Sequence, residues 1–328
     1  MASTDTATSS ATKEIETEFP NHIRVYKDGT VERLFGSPIV PPSLHDSDTG
    51  VSSKDVVISD DPSISARLYL PKSAQSDAQK LPILVYFHAS GFCLESAFSF
   101  LDQRYLNLIA SKANVIAVSV EYRLAPEHHL PAAFEDCWDS LKWVSSHSTL
   151  SNAGEPWLIN HGDFNRIYLG GDSAGATIAH NIAMRCGAED LPGGVKSAGC
   201  FLSCPYFWGS KPIGSEPKEG HEQSPAALLW NFVYPSAPGG IDNPAINPTA
   251  EGAPSLAGMG CSKLLVCVYG KDQVRDRGAL YYEALKNSGW NGEVELFEVE
   301  GEDHCFHILN PETDNANKVF NRLASFLL

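Results

Sequence analysis

A chain of 328 residues, 43% hydrophobic and 20% charged, is long and apolar enough to bury a sizeable core as one large α/β domain or two small ones. A formal net charge of −16 argues against a nucleic-acid or anionic-membrane partner, since both are held by clustered Lys and Arg. No apolar run approaches the ~20 residues that cross a bilayer, and no apolar segment follows a basic patch at the N-terminus, so a cytoplasmic protein is expected.

In chain order, residues 1–13 are rich in Ser, Thr and Ala, and residues 1–20 are expected to be a disordered tail. Residues 22–34 alternate around Asp28-Gly29, which predicts a hairpin. Residues 38–50 are rich in Pro and Ser and read as loop. Ile64, Ala66, Leu68 and Leu70 alternate, which predicts a half-buried strand ending at Pro71. Residues 72–80 read as a polar turn region. Continuous apolar runs predict strands at 83–87, 114–120, 166–169, 196–203, 263–268 and 294–299. Helical spacing predicts helices at 100–113, 132–146, 174–186, 279–288 and 316–327. Strands that alternate with helices predict an α/β fold, a mostly parallel sheet covered on both faces, over a single domain of residues 21–328. Residues 206–248, rich in Pro and Gly with a short helical stretch at 225–232, interrupt that alternation. An insertion there lies at the C-terminal edge of the sheet, where open α/β folds bind ligands. It is expected to form a cap together with residues of about 21–50.

The stretch 167–176, IYLGGDSAGA, joins a predicted strand to a predicted helix through Gly170, Gly171 and Gly175. It contains the G-x-S-x-G pattern that holds a serine, here Ser173, on a sharp and strained strand-to-helix turn. A Cβ at Gly171 or Gly175 would crowd that turn. The helix behind Ser173 aims its N–H groups and positive dipole end at any anion forming there. A serine hydroxyl is a weak nucleophile near neutral pH and needs a base, and the base an orienting acid. In this arrangement the order along the chain is Ser, then Asp or Glu, then His. Asp272 follows the strand 263–268 and His304 follows the strand 294–299, so both fall at the same sheet edge as Ser173. Asp276 and His307 are the alternatives. Asp272 and His304 are preferred because they lie nearer their strand ends, and Asp276 starts the next helix.

An oxyanion needs backbone donors. One is expected from Ala174, the residue after the nucleophile. Others are expected from the loop after strand 83–87, where lipases and esterases carry an HGGG-type sequence. Here that loop is 88–92, HASGF. Phe92, Tyr206, Trp208 and His221 are the candidate substrate-pocket residues. The eight cysteines contain no C-x-x-C pair and read as buried free thiols in a reducing compartment. His180 reads as a packing residue. The adjacent His128-His129 does not converge as a ligand pair, so no metal site and no cofactor are expected.

Four stretches, 88–92 (HASGF), 121–127 (EYRLAPE), 131–133 (PAA) with Asp136, and 171–175 (GDSAG), together resemble the plant carboxylesterases of the hormone-sensitive-lipase family. Segments 207–216 (FWGSKPIGSE), 220–224 (GHEQS) and 270–272 (GKD) are similar to its 2-hydroxyisoflavanone dehydratase-like branch. The resemblance covers the chain from about residue 23 to the end. It implies an α/β-hydrolase fold, the triad Ser173, Asp272 and His304, an oxyanion hole of Ser90, Gly91 and Ala174 N–H groups, and a small-molecule substrate bound by a monomer or homodimer. Two features depart from parts of the family: HASGF stands for the usual HGGGF, and the nucleophile is Ser where some dehydratases of the branch have Thr. Three activities are therefore expected in turn. The first is a serine carboxylesterase acting on aromatic or apolar esters. The second is a dehydratase or alkaloid-cyclase-like lyase using the same base and hole. The third is a non-catalytic gibberellin-type receptor, against which His304 speaks.

Overall fold

The computed structural model describes residues 13–75, 79–150 and 153–328 and divides into two compact units, one ending at Gly36 and one running from Ser37 to Leu328. The first unit holds strands β1 (Ile15–Phe19), β2 (Ile23–Tyr26) and β3 (Val31–Arg33), paired as an antiparallel sheet. The predicted Asp28-Gly29 turn joins β2 to β3. Gly29 takes φ 81°, and the Asp28 carboxylate accepts the Thr30 N–H at 2.9 Å. The chain from residue 21 falls into both units, and residues 15–19, within the stretch expected to be a disordered tail, form β1. β1 is almost wholly exposed; ladder bonds to β2 hold it, and no apolar pattern announces it. Residues 1–12 of that tail lie outside the described residues, as do residues 76–78 of the predicted polar turn.

The second unit is built on β4 (Ser52–Asp60), β5 (Ser63–Leu70), β6 (Leu81–Phe87), β7 (Ile116–Glu121), β8 (Gly162–Asp172), β9 (Ser197–Ser203), β10 (Lys263–Tyr269) and β11 (Glu293–Val299). Its helices are α1 (Phe100–Ala113), α2 (Ala132–Ser146), α3 (Pro156–His161), α4 (Ala174–Ala188), α5 (Pro225–Val233), α6 (Arg275–Lys286), α7 (Phe306–Leu309) and α8 (Asp314–Leu327). The strands form one sheet in the order β11-β10-β9-β8-β6-β7-β5-β4. β6 to β11 run parallel, and β5 pairs antiparallel with both β7 and β4.

Every residue of β6 is buried, as expected of a central parallel strand with both faces covered. Leu84 and Tyr86 of β6 share one buried cluster with Leu106, Ile109 and Ala110 of α1 and Val319, Phe320 and Leu323 of α8. α4 packs on β6, β8 and β9, and α2 packs on α4. The edge strand β4 was not predicted because its alternation breaks at an irregularity between Val57 and Ser59. The segment 206–248 carries α5 and two short 3-10 turns, His221–Gln223 and Gly240–Asp242. Among the described residues no helix is long and apolar enough to cross a membrane.

Candidate active site

β8 ends at Asp172 and α4 starts at Ala174, so Ser173 alone makes the turn between them. Its backbone takes φ 54° and ψ −118°, a conformation that costs a non-glycine residue on the order of 1–3 kcal/mol. The surroundings hold it there. The Ser173 N–H donates to the Ser203 carbonyl at 2.9 Å, and the Ser173 carbonyl accepts from the N–H groups of Thr177 and Tyr206, each at 3.1 Å. A Cβ on Gly175 would stand 1.9 Å from the Phe87 carbonyl oxygen, and one on Gly171 would stand 2.3 Å from the Gly175 carbonyl. With alanine at either position the turn could not close, and the serine would lose its place at the apex.

Asp272 and His304 come from the loops that follow β10 and β11. His304 Nε2 lies 2.7 Å from Ser173 Oγ, and His304 Nδ1 lies 2.7 Å from Asp272 Oδ2. Asp272 is fixed in turn, because its Oδ1 accepts the Val274 N–H at 3.0 Å. Its side chain is fully buried, while 36% of the His304 side chain is open. Burial disfavours the charged imidazole, but the Cys204 sulfur and the Asp272 carboxylate outweigh it and hold the His304 pKa well above its ordinary value.

The two alternative residues are engaged elsewhere. Asp276 accepts from the N–H and the hydroxyl of Ser215 at 2.7 and 2.8 Å and pairs with Arg275. His307 is completely buried, and its Nε2 meets Asp172 Oδ1 at 2.9 Å. His180, as expected, is a packing residue. It bonds the Tyr281 hydroxyl at 2.9 Å, and burial lowers its pKa to about 3.

The loop after β6 follows a left-handed path at Ser90, Gly91 and Phe92, with φ of 89°, 65° and 61°. Of the two residues that replace glycines in the HGGGF pattern, Ser90 carries a strained φ and Ala89 does not. A non-glycine residue pays on the order of 1–2 kcal/mol there. The path is braced from below. His88 stacks on Tyr122 at 4.1 Å and 9°, and the Tyr122 hydroxyl donates to the His88 carbonyl at 2.8 Å. Burial lowers the His88 pKa to about 4, so the stacked ring stays neutral at pH 7. This ties the HASGF and EYRLAPE stretches into one structure. Among the described residues, the N–H groups of Ser90, Gly91 and Ala174 find no backbone acceptor outside the regular helices and strands.

All four candidate pocket residues are buried, with exposures of 1 to 4%. Phe92 packs on Phe134, Tyr206 and Trp230. The Tyr206 hydroxyl donates to the Ala226 carbonyl. Trp208 stacks on His221 at 5.0 Å, and His221 Nε2 bonds the Gly209 carbonyl at 2.8 Å. Phe92, Tyr206 and Trp230 pack the segment 206–248 against the β6–α1 loop; a Cβ on Gly91 would stand 2.9 Å from Leu229 of α5.

Residue reasoning missed one neighbour of His304. Cys204, directly after β9, and Cys305, directly after His304, bring their sulfurs within 3.4 Å of each other. With one ring nitrogen of His304 they form a group whose donor atoms all lie within 4.8 Å. Both ring nitrogens of His304 are already engaged by Ser173 and Asp272, so the group leaves no imidazole nitrogen open for a metal. The signal was present, since both cysteines sit at strand ends on the same edge as Ser173.

A family described as alpha/beta hydrolase fold matches residues 84–308, a span that contains Ser173, Asp272 and His304. The chain belongs to that family. It is 63% identical to a 2-hydroxyisoflavanone dehydratase of Glycyrrhiza echinata over the whole of both chains. It is 57% identical to a 2-hydroxyisoflavanone dehydratase of Glycine max, covering 96% of this chain and 99% of the relative. Among solved structures it resembles esterase LipW from Mycobacterium marinum, with a TM-score of 0.70 and 27% identity over 86% of this chain and 82% of that one.

Proposed function

We propose that the protein is a serine carboxylesterase that hydrolyses small aromatic or apolar carboxylic esters through an acyl-enzyme. The observation that carries this is the unbroken hydrogen-bonded relay from Ser173 Oγ through His304 to Asp272, with both contacts at 2.7 Å. In this reading Ser173 Oγ attacks the ester carbonyl while His304 Nε2 takes its proton. Asp272 holds the ring in the tautomer with Nδ1 protonated and stabilises the imidazolium. The N–H groups of Ser90, Gly91 and Ala174 bind the tetrahedral oxyanion, and each such donor contributes roughly a hundred- to a thousand-fold in rate. His304 then protonates the leaving alcohol, and a water repeats the sequence on the acyl-enzyme. The segment 206–248, packed on the oxyanion loop, serves as the cap. The protein acts in the cytoplasm and needs no cofactor.

A second reading rests on the 63% identity to a dehydratase. The same oxyanion donors would polarise a ketone, His304 would take a proton from the neighbouring carbon, and water would leave without an acyl-enzyme. Incubation with a fluorophosphonate, followed by a panel of p-nitrophenyl esters and hydroxyketones, separates the two. The esterase reading expects a Ser173 adduct and ester turnover that Ser173→Ala abolishes. An unlabelled enzyme that dehydrates a 2-hydroxyisoflavanone decides for the lyase. Tight gibberellin binding without turnover would favour a receptor.

A further inference from the structure

Cys204 and Cys305 are 101 residues apart in sequence, yet their Sγ atoms lie 3.4 Å from each other. A disulfide needs about 2.05 Å, so the two sulfurs are about 1.4 Å from covalent distance. Their surroundings differ. Cys204 is 1% exposed, and its N–H is anchored to the Cys267 carbonyl at 2.8 Å. Cys305 is half-buried in the loop that carries His304. Burial pushes the Cys204 thiol up, but the hydrogen bond from Cys305 and the His304 ring outweigh it and lower that thiol to about 6. The Cys305 thiol is raised well above its ordinary value by its bond to Cys204 and by burial. One sulfur is therefore the thiolate and the other keeps its proton, which is the arrangement of an attacking and a resolving cysteine.

We infer that Cys204 and Cys305 are an oxidation site that hydrogen peroxide closes into an intramolecular disulfide, displacing His304 from Ser173. The Cys204 thiolate attacks one peroxide oxygen and the O–O bond breaks. This leaves the Cys204 sulfenic acid and releases hydroxide. The Cys305 sulfur then attacks the Cys204 sulfur. The sulfenic oxygen leaves as water, carrying away the Cys305 proton, and the S–S bond forms. Two thiol sulfurs are oxidised and one peroxide is reduced. The Cys204 N–H is held by the Cys267 carbonyl, and the Cys305 carbonyl accepts from the Ile308 and Leu309 N–H groups; whatever part of the gap is closed by Cys305 displaces the adjoining His304 with it. A displacement of about 1 Å at reacting groups costs on the order of a hundred-fold in rate. The effect on activity rests on His304 serving as the base of Ser173; the disulfide itself does not.

The test treats the full-length reduced protein with hydrogen peroxide, then maps its peptides without reduction and follows fluorophosphonate labelling of Ser173. A linked Cys204–Cys305 peptide is expected, with labelling slowed about a hundred-fold and restored by dithiothreitol. In Cys305→Ser the sulfenic acid on Cys204 has no resolving partner, and dimedone is expected to trap it. Peroxide-treated protein whose Cys204 and Cys305 peptides stay unlinked would overturn the site. A linked peptide with undiminished Ser173 labelling would overturn its effect on His304. Should the reduced protein hydrolyse no ester, the linked peptide still decides the oxidation site, since its detection needs no turnover.

Discussion

His304 and His307 stand three residues apart, and each bonds an aspartate, but their second ring nitrogens meet different surroundings. His304 gives Nδ1 to Asp272 and turns Nε2 toward Ser173, with 36% of its side chain open. His307 gives Nε2 to Asp172, and its buried Nδ1 has no hydrogen-bond partner among the described residues. The rings of Tyr105, Tyr269, Phe306 and Phe320 wall it in. Asp172 also accepts the Tyr86 hydroxyl at 2.9 Å. Both imidazoles are oriented by a carboxylate, but only one has a nucleophile and an opening on its far side. A histidine–aspartate pair becomes a proton-transfer relay through what its free nitrogen faces; without that, it is a polar clamp inside the core. His307 clamps the α7 turn to the residue that precedes Ser173, so it supports the elbow without touching the reacting atoms.

Breaking the first pair should cost the most. Ser173→Ala or His304→Ala is expected to reduce ester turnover by on the order of 10⁶-fold, since each removes a member of a unit that works together. Steady-state hydrolysis of p-nitrophenyl acetate reads this directly. Asp272→Asn is expected to cost about 10⁴-fold in kcat with little change in KM, because it favours the wrong imidazole tautomer. Breaking the second pair should act on stability. His307→Ala leaves Asp172 Oδ1 buried without its hydrogen-bond partner and is expected to cost about 1–3 kcal/mol in unfolding free energy, measured by urea denaturation. The folded fraction should keep ester turnover within tenfold of the wild type. A loss as deep as that of His304→Ala, in protein shown to be folded, would erase the distinction between the pairs.

A smaller effect sharpens the account of the first pair. The raised His304 pKa means that the neutral base is present only at higher pH, so turnover should rise with pH through a value above the ordinary ~6.5 of histidine. Cys204→Ala removes a negative neighbour that favours the imidazolium, and the acidic limb of the kcat/KM profile is expected to move to lower pH. A limb that stays in place would show that Cys204 does not act on His304. The smallest effect belongs to the oxyanion loop. Ser90→Gly relieves a φ of 89° and is expected to change stability by about 1 kcal/mol at most, readable as a small shift in thermal midpoint.

The contrast between the pairs also shows what the sequence could disclose. α1 and α2 have the bounds that their periodicity predicts, because their buried faces repeat at helical spacing and their ends are marked. β1 carries no apolar signal because it is almost wholly exposed and held by ladder bonds to β2, and the pattern of β4 is broken by the irregularity between Val57 and Ser59. Ser173, Asp272 and His304 were legible through one rule, that functional side chains of such a sheet stand just past the strand ends on one edge. Cys204, after β9, and Cys305, after β11, obey the same rule, but a cysteine in an apolar run has the same signature as a buried structural thiol. The partnership of His307 with Asp172 spans 135 residues and depends on how α7 packs on the core, which no local pattern encodes. The path of the HASGF loop was likewise unreadable, because the Tyr122 ring that braces it comes from the next strand connection.

The most direct test of the central claim is site-mapped fluorophosphonate labelling of the reduced wild-type protein beside His304→Ala. Activation of Ser173 through His304 predicts a single adduct on the peptide containing Ser173 in the wild type and none in the variant on the same time scale. A wild-type protein that takes no label, or a His304→Ala variant that labels at the wild-type rate, would contradict it.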